Sequence, residues 1–354
     1  MINIIGGGPV GSYAAYILAD KGFKVRVFEE HEEIGVPIQC TGITTKFLSN
    51  IVNVDDVLVN KTKRILIHSP DNSVEFNVEN LILDRSKFDK KIAEMAENKG
   101  VKYEYLKKYI GQNTILDLRN ETKIEIKGMV IGADGPQSKV GDEIGGERDY
   151  LYGVQSVAMR KTDPDVYEVW FGSFAPGLFA WSVPESDTVS RIGVACQKGS
   201  SLQFNKFLGQ LDVKKEDIID MQGGIIPIFN PNLRTSLGNK YVVGDAATQV
   251  KATTGGGIIP GMLAAESLVE DIEGKVVYED DWRKTIGKEL KTHLMIRNML
   301  NKFSDRDYDD LVRLVKREGV KKTIEEHDRE FPKMLTMKLL MKEPRFLKFA
   351  KYLL

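Results

Sequence analysis

Three glycines near the amino terminus have the types and spacing to hold a phosphate group. Gly6, Gly8 and Gly11 form the pattern G-x-G-x-x-G. In such a pattern the first glycine permits a tight turn, the second lets backbone approach a pyrophosphate, and the third lets a helix pack closely on a strand. Glu29 lies 18 residues beyond Gly11. This spacing suits an acid that bonds ribose hydroxyls, with Glu30 as the alternative. The pattern predicts a dinucleotide site.

A second glycine-rich segment favours a flavin as part of that dinucleotide. Asp245 follows a short apolar run, where a carboxylate can accept hydrogen bonds from a polyol such as a ribityl chain. Residues 253–257 read T-T-G-G-G and precede an apolar stretch. N–H groups at the start of a helix there would face the electron-rich edge of a reduced flavin ring. The alternative role for Asp245 is that of a helix N-cap.

These groups require elements that bring them together. An apolar run, a helical pattern ending at Gly22 and a second apolar run before Glu29 predict one βαβ unit. A β-rich, aromatic stretch over residues 150–194 interrupts the pieces of this fold, so the domains are expected to be interleaved. The predicted strands cover residues 1–5, 24–28, 123–126, 129–131 and 240–243, and the predicted helices cover 12–21, 81–101, 261–271 and most of the chain after about 282.

Composition excludes several classes of protein. The chain has 354 residues, which predicts about two domains. Lys and Arg number 50 and Asp and Glu 51, so the net charge of −1 gives no global attraction for nucleic acid. Two cysteines, Cys40 and Cys196, exclude a disulfide scaffold and a four-cysteine zinc site. The four scattered histidines have no metal-ligand spacing, so no metal site is predicted.

The hydropathy pattern predicts a cytoplasmic protein. No apolar run reaches the roughly 18 residues of a membrane-spanning helix. Glycines begin at Gly6, where a signal peptide would still be apolar. Residues 333–354 carry six Lys or Arg against one acid, Glu343, among Met, Leu and Phe residues. This basic amphipathic segment predicts peripheral contact with the inner membrane surface; the alternative is a helix packed on the body with a solvated basic face.

Taken in chain order, the motifs resemble the FAD-dependent group of proteins that contains aromatic hydroxylases and prenyl reductases. The resemblance rests on G-x-G-P-x-G with Glu29, on Arg85 in D-R-S-K-F-D, and on the pairs Asp134-Gly135 and Gly244-Asp245. It implies an α/β fold with a Rossmann-like FAD-binding domain. The FAD contacts that it implies are Glu29 on the adenosine ribose, Arg85 beside the cofactor, Asp245 near the ribityl chain, Gly257 and Ile258 under the isoalloxazine ring, and Gly6, Gly8, Val10, Gly11 and Asp134 elsewhere in the site.

The same resemblance implies a division of the chain into interleaved parts. The implied FAD-binding domain comprises residues 1–60, 80–145 and 235–275, the β-rich substrate domain comprises 60–80 and 146–234, and a C-terminal helical region comprises 276–354.

Two local patterns resemble the geranylgeranyl reductase branch of this group. The first is G-V-P-I-Q-C-T-G at residues 35–42, which matches the G-x-P-x-x-C-x-G loop of that branch. In the family this loop lies against the flavin, which implies cofactor contacts for Cys40, Thr41 and Gly42. The alternative for Cys40 is a small buried thiol.

The second pattern is P-G-L-F-A-W-S-V-P at residues 176–184, where the reductases carry P-x-x-Y-x-W-x-F-P. Phe179 replaces the tyrosine, so a mechanism that needs its hydroxyl is in doubt here. Alternation places Phe179, Trp181 and Val183 on one face of a strand. The motif match implies that this face lines a channel for a long isoprenoid, whereas spacing alone fits ordinary sheet core. The W-x-W-x-I-P motif of halogenases does not occur.

The resemblance implies FAD-dependent reduction of isolated double bonds in geranylgeranyl chains of archaeal-type glycerophospholipid precursors. Reduced flavin N5 would supply hydride, and the Trp181 face would stabilise cationic character on the alkene. Cys40 and water are both candidates for the proton donor. The electron donor would be NAD(P)H or a ferredoxin-like carrier. Two alternatives remain, a flavin monooxygenase acting on an aromatic or quinone-like substrate and a non-catalytic prenyl-lipid carrier.

Overall fold

A computed structural model describes residues 1–353, which form three sheets and surrounding helices. The strands are β1 (Ile2–Ile5), β2 (Val25–Glu29), β3 (Ile43–Thr45), β4 (Leu58–His68), β5 (Ser73–Leu83), β6 (Lys102–Tyr105), β7 (Lys107–Gly111), β8 (Thr114–Asp117), β9 (Thr122–Glu125), β10 (Met129–Gly132), β11 (Tyr150–Met159), β12 (Val166–Trp170), β13 (Phe179–Pro184), β14 (Val189–Cys196), β15 (Ile218–Pro227), β16 (Ser236–Leu237) and β17 (Lys240–Val242).

The α-helices are α1 (Pro9–Asp20), α2 (Arg85–Glu97), α3 (Lys139–Ile144), α4 (Ser200–Gln210), α5 (Ile258–Ile272), α6 (Tyr278–Lys284), α7 (Gly287–Leu300), α8 (Asp305–Val315), α9 (Glu318–Glu325) and α10 (Pro332–Lys342). Short 3₁₀ helices cover Lys46–Asn50, Asp55–Val57, Lys215–Asp217, Gly244–Ala247 and Pro344–Tyr352.

The first sheet has six strands in the order β16-β17-β10-β1-β2-β6. All neighbours from β17 to β6 are parallel, and β16 is antiparallel at the edge. β1 is central and fully buried, as an apolar strand covered on both faces should be. Its register aligns Ile5 with Gly132 of β10, and Gly132 aligns with Val242 of β17. The carboxyl ends of three strands from distant parts of the chain therefore meet at one edge.

Helices cover one face of this sheet, and a small sheet with α3 covers the other. Leu18 of α1, Phe88 of α2 and Leu268 of α5 belong to one apolar core with β1. On the opposite face, Val140 of α3 and Ile115 of β8 pack together in a second core. The small sheet on that face has three strands, in the order β7-β8-β9. A parallel sheet covered on both faces confirms the predicted Rossmann-like α/β fold.

The second sheet has eight strands in the order β15-β11-β14-β13-β12-β4-β5-β3. Only β4 and β12 are parallel neighbours among these described strands. One face carries a core that includes Phe179, Trp181 and Val183. The other face packs on α4, where Trp170 and Phe207 make an edge-to-face contact. The predicted placement of Phe179, Trp181 and Val183 on one face of a strand is confirmed.

The C-terminal helices form a third layer that packs on both sheets. Phe303, Tyr308 and Phe349 form a small aromatic core between α7, α8 and the last 3₁₀ helix. Val312 of α8 packs on Phe76 of the large sheet. Within residues 1–353, none of the helices combines the length and the apolar character that crossing a bilayer requires.

Four predicted helix boundaries were wrong by three or four residues. The helix predicted over residues 12–21 begins earlier, at Pro9, and the helix predicted over residues 81–101 ends earlier, at Glu97. The helix predicted over residues 81–101 begins only at Arg85, because residues 81–83 are the end of β5 and are buried on both faces. The Asp84 carboxylate accepts a hydrogen bond from the Lys87 N–H at 3.1 Å, so an N-cap marks the true start. The helix predicted over residues 261–271 begins earlier, at Ile258, with Pro260 in its first turn.

Candidate cofactor and substrate site

The turn at residues 6–11, here the phosphate turn, leaves one glycine facing open space. Gly6 has a φ of +97°, and a Cβ there would lie 2.8 Å from the carbonyl carbon of Ala133. A Cβ at Gly11 would overlap the carbonyl oxygen of Gly6. At Gly8 a Cβ would have no neighbour within 4 Å. Two glycines therefore permit close packing, and the third keeps the mouth of the turn clear for a ligand.

The first turn of α1 adds donors to this mouth. The helix begins at Pro9 with no acidic side chain in its first turn, and the capping residue Gly8 has no side chain to satisfy the free N–H groups. Such N–H groups and the helix dipole favour a phosphate. The Val10 side chain points the other way, because a Cβ on Gly261 of α5 would lie 2.6 Å from Val10 Cγ2.

Glu29 lies beside the phosphate turn, at the end of β2. Its Oε2 accepts the Gly7 N–H at 2.7 Å, and its Oε1 accepts the His31 N–H at 3.0 Å and lies 2.6 Å from His31 Nδ1. Glu29 is buried, whereas Glu30 is exposed and pairs with Lys108 at 2.9 Å. The structure therefore places Glu29, not Glu30, at the turn, where an acid would meet an adenosine ribose.

Asp134 follows β10 and directs its carboxylate away from the mouth of the turn. It accepts hydrogen bonds from Ser138 Oγ at 2.5 Å and from the N–H of Lys139 at 2.7 Å. Burial raises the pKa of Asp134 above its ordinary value, and these hydrogen bonds oppose the shift. The Asp134 carboxylate thus stabilises the start of α3, whereas the Asp134 backbone and Ala133 lie against the phosphate turn.

Residues 35–42, here the thiol loop, contact the start of α2 and the large eight-stranded sheet. Gly42 has a φ of +77°, and its N–H donates to Cys40 Sγ at 3.3 Å. Arg85 at the start of α2 makes a two-point ion pair with Asp89, with contacts of 3.0 and 2.8 Å. Although burial opposes it, Asp89 and the Cys40 thiol hold the pKa of Arg85 above its ordinary value. Arg85 therefore stays charged beside Cys40.

Asp245 and the turn at residues 251–257, here the cofactor turn, lie at the carboxyl end of β17. A Cβ on Gly257 would lie 2.5 Å from Asp245 Oδ1, so the carboxylate rests against the N-terminus of α5, whose first residue is Ile258. Burial raises the pKa of Asp245 to about 6, and the Arg85 charge opposes the shift. No side-chain or backbone group within residues 1–353 donates a hydrogen bond to this carboxylate, so it is available as an acceptor for ligand hydroxyls.

Trp181 is held in place by residues that the sequence pattern did not identify. Its Nε1–H donates to Gln155 Oε1 at 3.0 Å, and Thr41 Oγ1 of the thiol loop donates to the same oxygen at 2.7 Å. Gln155 Nε2 donates to Gln222 Oε1 at 2.8 Å. Gly193 lies between Trp181 and Gln155 in the sheet register, and a Cβ there would overlap the indole. The Gln155 amide therefore links the thiol loop to β13, here the aromatic strand.

Phe179 and Val183 flank Trp181 on the same buried face. Phe179 makes edge-to-face contacts with Trp181 at 6.0 Å and with Phe171 at 5.3 Å between ring centroids. Val183 is fully buried in this cluster. The three side chains form an apolar, aromatic surface next to the thiol loop, and their role as a substrate channel stays a prediction.

A second unpredicted residue, Arg191, ties the thiol loop to the large sheet. Its Nη1 donates to the carbonyl oxygens of Thr41 at 2.5 Å and Leu83 at 3.0 Å, while Nε contacts Glu185 at 2.5 Å. Arg191 also lines a cavity of about 490 Å³ beside Arg85. The charged walls of that cavity suit solvent or polar groups better than a hydrocarbon chain, and they include Asp56, Asp84, Glu185 and Asp220.

Comparison with known proteins agrees with this geometry. Residues 4–47 match the NAD(P)-binding Rossmann-like domain model. The fold is similar to that of a geranylgeranyl bacteriochlorophyll reductase-like protein from Thermoplasma acidophilum, at 22% identity with a TM-score of 0.85, over 100% of this chain and 98% of the other. It is also similar to a flavin-dependent brominase variant, at 14% identity with a TM-score of 0.71, over 97% and 99% of the two chains.

A relative from Methanothermobacter thermautotrophicus decides the family. Digeranylgeranylglycerophospholipid reductase 2 of that organism is 31% identical to this chain, and the alignment covers 88% of this chain and 90% of the relative. The chain belongs to the digeranylgeranylglycerophospholipid reductase family. Membership in this reductase family makes the chain an oxidoreductase, and residues 4–47 form a Rossmann-like dinucleotide domain.

Proposed function

We propose that this protein uses FAD to reduce isolated carbon–carbon double bonds in geranylgeranyl chains of archaeal-type glycerophospholipid precursors. The observation that carries the proposal is the meeting of the cofactor turn with the aromatic strand. A Cβ on Gly255 would lie 3.4 Å from Ile226 and 3.7 Å from Leu178, the residue before Phe179. A flavin on the cofactor turn would therefore be next to the aromatic surface. Family membership supports the same substrate class.

The residues present fit FAD. The open position at Gly8 and the free start of α1 suit its pyrophosphate, Glu29 suits its adenosine ribose, and the Asp245 carboxylate suits its ribityl hydroxyls. Bound FAD, once reduced, would supply hydride to the alkene. The protein would contribute orientation and the exclusion of water.

Trp181 would stabilise positive charge that develops on the more substituted alkene carbon. An indole face attracts a cation most strongly when water is excluded, and Trp181 is buried. The shared acceptor Gln155 fixes the plane of the indole relative to the thiol loop. The orientation of the indole matters because an aromatic ring attracts a cation at its face and repels it at its edge.

The Cys40 thiol would supply the proton. Phe179 has no hydroxyl, which removes the aromatic residue as a donor. Cys40 is half-buried, lies in the thiol loop and is adjacent to the Arg85 guanidinium. A cation beside a thiol stabilises the thiolate that remains after the proton has left. A Cys40→Ser variant should therefore bind FAD normally and reduce the lipid more slowly.

The decisive experiment is anaerobic. Purified protein loaded with FAD is reduced chemically and mixed with a digeranylgeranyl glycerophospholipid, and flavin reoxidation and lipid mass are followed together. The expected result is reoxidation with a mass gain of about 2 Da for each double bond reduced, as addition of one hydride and one proton requires. Unchanged lipid mass with full FAD occupancy would reject the proposal. Reoxidation only with oxygen would favour the monooxygenase, and failure to bind FAD would favour the carrier. Reduction by NAD(P)H or by a ferredoxin-like carrier, tested separately, identifies the donor.

The C-terminal region would bring the enzyme to its lipid. Met334, Met337 and Met341 share one face of α10, and apolar side chains on one face would normally be buried. Here they are 60%, 57% and 74% exposed. Lysines of the predicted basic segment 333–354 flank this face, and Leu354 lies outside the described residues. Exposed apolar residues among cations fit an anionic lipid surface.

Vesicle flotation tests this contact. A variant with Met334, Met337 and Met341 replaced by Ser should float poorly with vesicles that contain anionic lipid. Met159→Ser is the matched control, because Met159 is 49% exposed on β11 of the large sheet, a strand that does not pack on the described residues of the basic segment. Equal flotation of the triple variant and the control would contradict the membrane role without affecting the proposed chemistry.

A further inference from the structure

Helix α7 places two buried polar side chains beneath the cofactor turn. His293 and Arg297 are one helical turn apart and are both almost fully buried. His293 Nδ1 lies 2.6 Å from Thr253 Oγ1, and its Nε2 is buried without a hydrogen-bond partner among residues 1–353. Burial, with the nearby Lys251 charge, lowers the pKa of His293 to about 3, so this ring is neutral.

Arg297 connects the cofactor turn to the aromatic strand. Its Nε and Nη2 donate to the carbonyl oxygens of Ala252 and Thr253, each at 3.0 Å. Its Nη1 donates to the carbonyl oxygen of Leu178 at 3.3 Å, one residue before β13 begins. One guanidinium therefore spans the two segments whose meeting supports the proposed function.

The charge of Arg297 has no ionic partner in the part of the chain that the structure describes. Burial lowers its pKa to about 10, with an opposing contribution only from Tyr308, so the group stays cationic at neutral pH. The other buried cation at this turn is different, because Lys251 pairs with Glu330 at 2.6 Å. Backbone carbonyls satisfy the Arg297 donors but do not cancel its charge, and a buried unpaired cation is costly. A ligand that is negatively charged at this turn would remove that cost.

We propose that Arg297 is a positioning residue that holds the cofactor turn against the aromatic strand and, through its charge, favours the reduced, anionic form of the flavin. This inference rests on the proposed use of FAD. A reduced flavin carries negative charge at the ring edge that faces the helix start, and fixed positive charge near that edge shifts the redox equilibrium. Neutral His293 packs beside Arg297 without adding a second charge.

The test is the midpoint potential of bound FAD, measured anaerobically against a reference dye without any lipid. Arg297→Gln keeps hydrogen-bond donors and removes the charge. We expect this variant to lower the equilibrium constant for two-electron reduction of bound FAD by roughly tenfold. That change corresponds to a midpoint potential lower by about 30 mV. Arg297→Lys keeps the charge and loses the three-carbonyl span. We expect it to retain the wild-type potential while lowering the thermal unfolding midpoint.

Arg283→Gln is the matched control. Arg283 also donates to two backbone carbonyls, those of Pro231 and Leu233, but it lies on α6, away from the cofactor turn. Its loss should leave the potential unchanged. The inference is overturned if Arg297→Gln keeps the wild-type potential. If the Gln variant does not fold, a tenfold shift in the Lys variant overturns it instead.

The outcomes separate this inference from the proposed function. If FAD binds but no lipid is reduced, the proposed function fails, and the potentials of the Arg297 variants still decide the role of its charge. If lipid is reduced and the potentials are unchanged, only the role of Arg297 fails. If FAD does not bind, both fail.

Discussion

The two sides of the site are built from different parts of the polypeptide. The cofactor side is built from backbone, with Gly6, Gly11 and Gly257 at positions where a Cβ would overlap a neighbour. The proposed substrate side is built from side chains, with Trp181 held by Gln155 on a strand two positions away in the sheet. At a packed glycine such a backbone site tolerates no added atom, whereas a site made of side chains can repack and loses the orientation of its groups first. Substitutions on the two sides should therefore fail in different ways.

The largest effect is expected on the cofactor side, from Gly11→Ala. The added Cβ overlaps the Gly6 carbonyl oxygen, which belongs to the tight turn between β1 and α1. Overpacking of this kind costs about 1–3 kcal/mol or more, so urea unfolding of the apoprotein should show a clear loss of stability together with loss of FAD binding.

Gly8→Ala is the contrasting variant for that experiment. Its Cβ meets no protein atom within 4 Å, so the apoprotein should unfold at the wild-type urea concentration while FAD binds more weakly. If both variants lose stability equally, the distinction between packing glycines and a ligand-facing glycine is incorrect.

On the substrate side, Trp181→Leu should keep FAD bound and slow lipid reduction. Loss of a desolvated cation–π contact worth about 2 kcal/mol corresponds to a roughly 30-fold fall in kcat/KM. Trp170→Leu makes the same chemical change on the opposite face of the same sheet, where Trp170 contacts Phe207. That control should lose stability and keep its activity per folded molecule. Unchanged kcat/KM in Trp181→Leu would remove the aromatic surface from the chemistry.

Asp245→Asn should raise the stability of the apoprotein above pH 6. Because burial raises the folded-state pKa of Asp245 from 3.8 to about 6, the unfolded chain loses its proton first as pH rises. Wild-type stability therefore falls between these two values, by on the order of 1–3 kcal/mol after allowance for partial exposure. Below pH 3.8 the two proteins should be equally stable.

Asp20→Asn is the control for urea unfolding across this pH range, because the pKa of Asp20 is shifted in the opposite direction to that of Asp245. A hydrogen bond and charge from Lys99 lower the pKa of Asp20, so its ionised form favours the folded state. Removing that carboxylate should lower stability at neutral pH. A gain of stability in both variants would show that the Asp245 effect does not come from its own ionisation.

The smallest effect is expected from Thr41→Val. Thr41 lies on the thiol loop and shares the Gln155 acceptor with Trp181, so it connects the two sides of the site. The variant loses one hydrogen bond to Gln155, and Trp181 keeps its own bond to the same oxygen. A net loss of about 1 kcal/mol in unfolding free energy is expected. Tryptophan fluorescence should stay unchanged, because the indole partner remains. A large spectral shift would mean that the thiol loop, not Gln155, orients Trp181.

The comparison also explains what could be predicted from sequence. The phosphate turn and Glu29 were predictable because the βαβ unit that positions them is contiguous. Gln155 was not, because its contact with Trp181 depends on β14 lying between β11 and β13. Arg297 lies more than 100 residues from Leu178, and no local pattern distinguishes it. The spacing of His293 and Arg297 on one helix face is the only sequence signal for that pair.

The strands that meet in the first sheet are synthesised at widely separated times, because they are far apart in the sequence. β1 is the first strand made, yet its neighbour β10 begins at Met129, and the cofactor turn ends at Gly257. At about 5–20 residues per second, roughly 12–50 s separate the completion of Gly11 from that of Gly257. The proposed FAD site is therefore complete only late in translation. A nascent chain that stops before Met129 leaves β1 with one bare hydrogen-bonding edge, the kind of edge on which aggregates grow.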